Sequence, residues 1–204
     1  MNAFNNRDDI TAEGLHFAHE VCKAHGDFDE IGEVLDAYES KRFTGGSGSR
    51  IICEFPDEFL RDGARYFDDQ HHETFFVLKA CYRPNPQNYK EVQLWDESRG
   101  TSRSDLFAPV HAWDGAYRWV LMKRVTPVSP AKHDRAYVHS GQEYYYNSDA
   151  FNQIEEWLDE EGWDVVDADE NTAFHEEQEY LCLMDYGGVY PKQGDIDYPD
   201  WVTA

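Results

Sequence analysis

The chain has 204 residues, 41% of them hydrophobic and 15% aromatic, which is enough to bury one sizeable core and too short for two comfortable domains. Acidic residues outnumber basic ones 41 to 18, a formal charge of -23, and so acidic a surface excludes the counterion-release mechanism by which proteins hold nucleic acid. There is no apolar run of about eighteen residues, and Met1-Asn2-Ala3-Phe4-Asn5-Asn6 lacks the basic and apolar regions of a signal peptide, so a cytoplasmic protein with no membrane partner is expected.

In chain order, Leu15, Ala18, Val21 and Cys22 follow a helical stripe over Thr11 to Ala24, with Thr11 as its cap. Ile31, Val34, Leu35 and Tyr38 repeat the pattern over Asp29 to Arg42, giving two short helices as an N-terminal extension, residues 1–42. Gly45-Gly46-Ser47-Gly48-Ser49 breaks it, and strand character begins at Arg50-Ile51-Ile52-Cys53-Glu54-Phe55. Asp57 to Glu73 is polar and irregular, and its His71-His72 pair reads as a solvated turn in preference to a metal site. Thr74 to Cys81 is a second strand, stopped by Arg83-Pro84-Asn85-Pro86. Asn85 to Glu97 reads as a helix with Pro86 in its first turn. Leu106 to Trp113 and Tyr117 to Val125 form a hairpin about Asp114-Gly115.

A tyrosine-rich connection then leads to an amphipathic helix, Ser148 to Glu160, with Phe151, Ile154, Trp157 and Leu158 inward and Gly162 as its stop. Val165-Val166 is a short apolar step, Thr172 to Phe174 and Tyr180 to Met184 a second small hairpin, and the tail after Gly188 is read as irregular. Cys22, Cys53, Cys81 and Cys182 have no paired C-x-x-C spacing and are read as small buried hydrophobes in preference to metal or redox groups.

The acids are spread along nearly the whole chain, and there are 11 arginines against 7 lysines. Such self-repulsion is tolerable where molar salt shortens the Debye length to about 3 Å, which points to a salt-loving archaeon or its virus, the alternative being an ordinary acidic protein. Stability is then expected to rise with KCl; full stability in dilute buffer, or unfolding at high salt, would sink that idea.

Three stretches carry candidate chemistry: Phe76-Val77-Leu78-Lys79, Asn88-Tyr89-Lys90-Glu91 and Leu183-Met184-Asp185-Tyr186-Gly187. A lone lysine ends a hydrophobic strand, a glutamate follows about a dozen residues later in a helix, and an acid ends a late strand before a glycine; these are the polar parts of a kinase nucleotide site. Lys79 by itself is equally a strand-end lysine reaching for water. In order and content the chain resembles the protein-kinase-like fold. It is most similar to small, degenerate kinase-like proteins of haloarchaea, their tailed viruses and phages, through Asn88, Glu91 and Trp95, Ala108-Pro109-Val110, Trp119 to Val125, and Asp185-Tyr186-Gly187.

That resemblance covers residues 43–190, with 191–204 as an irregular tail. It implies an α+β fold with an antiparallel N-lobe sheet, one αC-like helix and a much reduced C-lobe. It also implies ATP and Mg²⁺ as cofactors. Lys79 would contact the α and β phosphates and pair with Glu91, while Asp185 and Asn171 would each hold a metal. Arg124, Val125 and Thr126 would face adenine through their backbone, and Gly46 and Gly48 would supply two glycines of the phosphate loop, with Ile51 in place of the third.

The position five residues before Asn171 is Val166, which cannot accept a proton, so Asp167 or Asp169 would have to serve as base or the base is missing. Only 17 residues follow Gly187, too few for the platform that seats protein substrates. Two functions follow from the resemblance: a nucleotide-binding protein acting as a minimal or degenerate Mg-ATP-dependent phosphotransferase, or an inactive kinase-fold interaction or structural protein, such as a virion component, with an unknown protein partner.

Overall fold

A computed structural model describes residues 5–43, 50–61, 76–101, 103–127, 137–139, 142–144, 155–165, 171–175 and 180–192. The fold is mixed α+β, and among the described residues every pairing between its strands is antiparallel. The chain forms two compact units, residues 1–97 with 109–124 and 198–204, and residues 98–108 with 125–197.

The first unit begins with a single 3-10 turn, Arg7–Asp9, followed by α1 (Ala12–Ala24) and α2 (Phe28–Ala37). Thr11 accepts a hydrogen bond from the Gly14 amide, and Asp27 accepts from Asp29 and Glu30, so each helix satisfies amides that have no partner within its own first turn. α2 stops five residues short of the expected Arg42. Glu39 adopts a left-handed φ of 52°, the Ser40 amide returns to the Leu35 carbonyl, and the chain reverses. Residues 41–43 then lie along the sheet, the Glu54 amide donating to the Lys41 carbonyl and the Phe43 amide to that of Ile52.

The sheet comprises β1 (Ile51–Phe55), β2 (Phe76–Ala80), β3 (Val110–Trp113) and β4 (Trp119–Lys123), in the order β1-β2-β4-β3. Because side chains alternate across a strand, Phe76, Leu78 and Ala80 of β2 join Ile51, Cys53 and Phe55 of β1 on one face. That face shares a continuous core with Phe17, Ala18 and Val21 of α1 and Ile31 and Leu35 of α2. Val77 and Lys79 consequently point to the other face.

Between β2 and β3 runs α3 (Pro86–Ser98), with Pro86 in its first position and Asn85 Oδ1 accepting from the amides of Gln87 and Asn88. The β3–β4 hairpin forms as the sequence indicates, but its turn is not a tight Asp-Gly turn. Asp114 closes a longer loop by accepting from the Arg118 amide at 2.6 Å and from its Nε at 2.8 Å, and the left-handed residue is Tyr117, φ 54°.

The strand expected from Leu106 starts only at Val110. Ser104–Leu106 is a 3-10 turn in the second unit, where Phe107 makes an isolated parallel bridge with Leu183. That unit contains β5 (Thr126–Pro127), β6 (Tyr137–His139), β7 (Gln142–Tyr144), β8 (Trp163–Val165), β9 (Thr172–His175), β10 (Tyr180–Leu183) and β11 (Val189–Pro191). β9 and β10 form the expected hairpin, extended by β5, and β6 pairs with β7.

β11 pairs with β8, so Val189–Pro191, at the start of the stretch expected to be irregular, is a strand whose backbone groups are met by the Trp163–Val165 segment; residues 193–204 lie outside the described residues. The late helix is described over 155–160, buries Trp157 and Leu158, and is ended by Gly162 at φ 79°. Phe151, Ile154, His71 and His72 lie outside the described residues. Tyr186 is fully buried, donates its hydroxyl to the Ala108 carbonyl and packs on Phe107, which also meets Trp157.

All four cysteines are buried free thiols, and burial pushes each up to about 12, where they remain protonated and inert. Among the described residues no helix is long and apolar enough to cross a membrane.

The edge strand β3 is covered from outside by the chain's own start. Asn5 donates its side-chain amide to the Trp113 carbonyl and accepts from the Trp113 amide, while the Asn6 amide donates to the His111 carbonyl. His111 is buried against the Phe76 ring. Its Nε2 makes no hydrogen bond, with Asp9 Oδ2 3.4 Å away. Burial lowers the imidazole below its ordinary value, and Asp9 offsets this in part. The unfolded imidazole, near 6.5, therefore takes its proton first as the pH falls. The stabilisation due to neutral His111 is complete above about pH 6.5 and is lost as the pH drops toward the lower folded value. Unfolding measured between about pH 8 and pH 5 should show the parent losing stability that His111→Gln does not lose; parallel curves would remove His111 as the cause.

Candidate functional site

Lys79 is the penultimate residue of β2, on the face opposite the α1–α2 core, held in register against Ile52 of β1 and Val120 of β4. Its ammonium reaches the helix that follows: Nζ donates to Oε1 of Glu91 on α3 at 2.6 Å. Lys79 is 4% exposed and Glu91 0%, so this is a desolvated pair, and the lysine does not reach out to water. The distance fits a charge-assisted hydrogen bond, the stronger kind.

Glu91 has a second partner that the sequence did not reveal. Arg50, at the foot of β1, donates from Nη1 to Glu91 Oε2 at 2.8 Å and to Asn88 Oδ1 at 3.0 Å. Asn88 and Glu91 lie three apart on α3 and share a face, so one guanidinium nitrogen grips two helix positions. Asn88 in turn donates from Nδ2 to the Tyr117 carbonyl at 3.0 Å, tying the network to the β3–β4 turn. Both oxygens of one buried carboxylate are therefore bonded to cations from two different strand ends. The available signal was an arginine placed directly before the apolar run Ile51-Ile52-Cys53, where a charge is retained only with a partner.

Asn171 and Asp185 are brought together in the second unit, at the open end of the β9–β10 hairpin. The Met184 amide donates to the Asn171 carbonyl at 2.8 Å, and Asp185 follows directly. Asp185 Oδ1 accepts from the Gly187 amide at 3.3 Å, an Asx-type turn that accounts locally for acid-x-glycine after a strand. Among the described residues no group of three His, Cys, Asp or Glu side chains could hold a metal ion.

Arg124, Val125 and Thr126 span the point where the chain leaves the first unit for the second, between Arg124 and Val125. The exposed Arg124 lies 5.0 Å over the Phe43 ring, and Thr126 begins β5, opposite Phe174 of β9. Gly46, Gly48, Asp167 and Asp169 lie outside the described residues.

No protein-family model matches the chain, and no curated protein matches it. Among solved structures it is similar to the choline kinase LicA from Streptococcus pneumoniae, at 12% identity and a TM-score of 0.37, over 79% of this chain and 68% of that one. So distant a likeness identifies no family.

Proposed function

We propose that this is a kinase-fold nucleotide-binding protein, a minimal or degenerate Mg-ATP-dependent phosphotransferase. The observation that carries the proposal is the 2.6 Å bond between a lysine next to the end of a hydrophobic strand and a glutamate of the next helix. Kinases use such a pair to aim the lysine at the α and β phosphates, because phosphoryl transfer is catalysed almost wholly by positioning and charge neutralisation. Glu91 orients Lys79, and Lys79 takes the phosphates.

Asn171 and Asp185 offer hard oxygen donors of the kind Mg²⁺ accepts, one or two from protein and the rest from phosphate and water. The metal, when bound, neutralises charge on the phosphate chain. The backbone of Arg124, Val125 and Thr126 takes the adenine, Gly46 and Gly48 approach the phosphates, and Asp167 or Asp169 serves as base.

A second function, a catalytically inactive interaction or structural protein of a halophilic host or its virus, is supported by the engagement of both Glu91 oxygens. A buried ionic network of that kind can be kept for structural specificity without catalysis.

Thermal unfolding in molar KCl with and without Mg-ATP separates the two. A ligand of the folded state alone stabilises it by about 2.7 kcal/mol at a hundredfold excess over Kd. The parent should show such a shift and Lys79→Met should lose it. The variant is expected to fold, because Arg50 still holds Glu91. No shift in a well-folded parent selects the inactive function.

A further inference from the structure

We infer that Arg50 is a positioning residue for nucleotide binding, acting through Glu91 on Lys79. This rests on the nucleotide-site proposal and goes one step past it. The geometry is specific. Arg50 Nη1 meets Glu91 Oε2 at 2.8 Å while Lys79 Nζ meets Oε1 at 2.6 Å, so the carboxylate is stretched between two cations and has no freedom to rotate toward either.

The same nitrogen meets Asn88 Oδ1, one turn earlier on α3. A helix gripped at two positions on one face cannot turn about its axis without breaking both bonds. The hold is closed at the far side by the Asn88 bond to the Tyr117 carbonyl. Arg50, Asn88 and Glu91 are all nearly inaccessible, at 4%, 0% and 0% exposure, so the bonds act in a low-dielectric setting where small displacements are costly.

Arg50 also sits where the chain passes from the glycine-containing stretch 44–49 into β1, so the start of that strand and the orientation of α3 are fixed by one side chain. With Arg50 in place, Glu91 is set before any ligand arrives, and Lys79 is presented in one direction. This is preorganisation: the cost of ordering the lysine is met on folding and not on binding.

The test compares Mg-ATP with adenosine, measuring Kd for both by calorimetry on the full chain in the parent, Arg50→Gln, Arg50→Lys and Lys79→Met. Adenosine lacks the phosphates that Lys79 takes, so a residue acting through Lys79 should weaken Mg-ATP and leave adenosine unchanged. Arg50→Gln is expected to weaken Mg-ATP about tenfold or more, in line with one lost oriented charge contact, with adenosine affinity kept. Arg50→Lys should recover most of that loss. The Arg50→Gln/Lys79→Met pair should lose little beyond Lys79→Met alone, as expected of residues acting in series.

A purely structural role would lower both affinities together or neither, and either result overturns the inference while leaving the nucleotide site standing. Should Arg50→Gln fail to fold, Arg50→Lys decides, since it keeps the charge but not the guanidinium's joint hold on Asn88 and Glu91: Mg-ATP weakened by a smaller factor with adenosine affinity kept supports positioning, and both affinities lowered together, or neither, overturns it. A folded parent that binds neither ligand overturns the nucleotide site itself, and this inference with it.

Discussion

Glu91→Ala is expected to be the most destabilising polar substitution in the first unit, at about 3–5 kcal/mol, the usual cost of breaking a buried ion pair from one side. The alanine removes the carboxylate that both Arg50 and Lys79 hold, and both cations remain in a site from which water is excluded. Lys79→Met should cost less, because Glu91 keeps Arg50 and its Oε2 stays bonded. The three residues share one network, so their effects should be strongly non-additive. The triple replacement of Arg50, Lys79 and Glu91 by apolar residues is expected to regain much of what Glu91→Ala loses, since the cost lies in buried charge that has lost the Glu91 carboxylate and not in lost volume. Denaturant unfolding of the single and triple variants checks this. Because the pairs are buried, the pattern should persist in molar salt; a Glu91→Ala loss below about 1 kcal/mol would mean that water reaches the site and that the pairs act as surface bridges.

Phe17→Ala is expected to cost a similar amount, about 3–5 kcal/mol, by loss of transfer free energy and the cavity left behind. Phe17 is completely buried, and its ring meets those of Tyr38, Phe55 and Phe59 at centroid distances of 5.1, 5.9 and 5.5 Å. Those partners come from α2's end, β1 and the turn after it, so a single ring fastens the two N-terminal helices to the sheet. Phe17→Leu, which keeps most of the volume, should lose markedly less. Helix content and tryptophan emission should fall together on unfolding of the parent, because α1, α2, β1, β2 and β4 contribute to one core. Helix loss well before the emission change would show that the helices are only loosely fastened.

Much of the fold was legible because its signals are local. The stripe in Thr11 to Ala24 with a threonine ahead of it became α1, Pro86 opened α3, and Gly162 ended the late helix, each set by a period or a backbone preference readable within a few residues. Lys79 and Glu91 could be named because a lone lysine near the end of an apolar strand is followed about a dozen residues later by a glutamate in the next helix, an order through which the chain resembles kinase-like proteins. Misjudged boundaries occurred where a distant segment supplied the hydrogen bonds. α2 stops early because residues 41–43 are taken by β1, and Val189–Pro191 becomes a strand because Trp163–Val165 pairs with it.

The sequence by itself determined where α1 and α3 lie, which strands alternate, that the cysteines belong to the interior, and that the chain is acidic throughout. Tertiary structure alone decided that Arg50 meets Glu91 across 41 positions, that Asn88 rests on the Tyr117 carbonyl, and that the left-handed residue of the β3–β4 turn is Tyr117 and not Gly115. Periodicity reports the environment of a residue one element at a time. Which polar groups become partners depends on strand register and on where a helix is laid across the sheet, and these are fixed by the packing of the whole core.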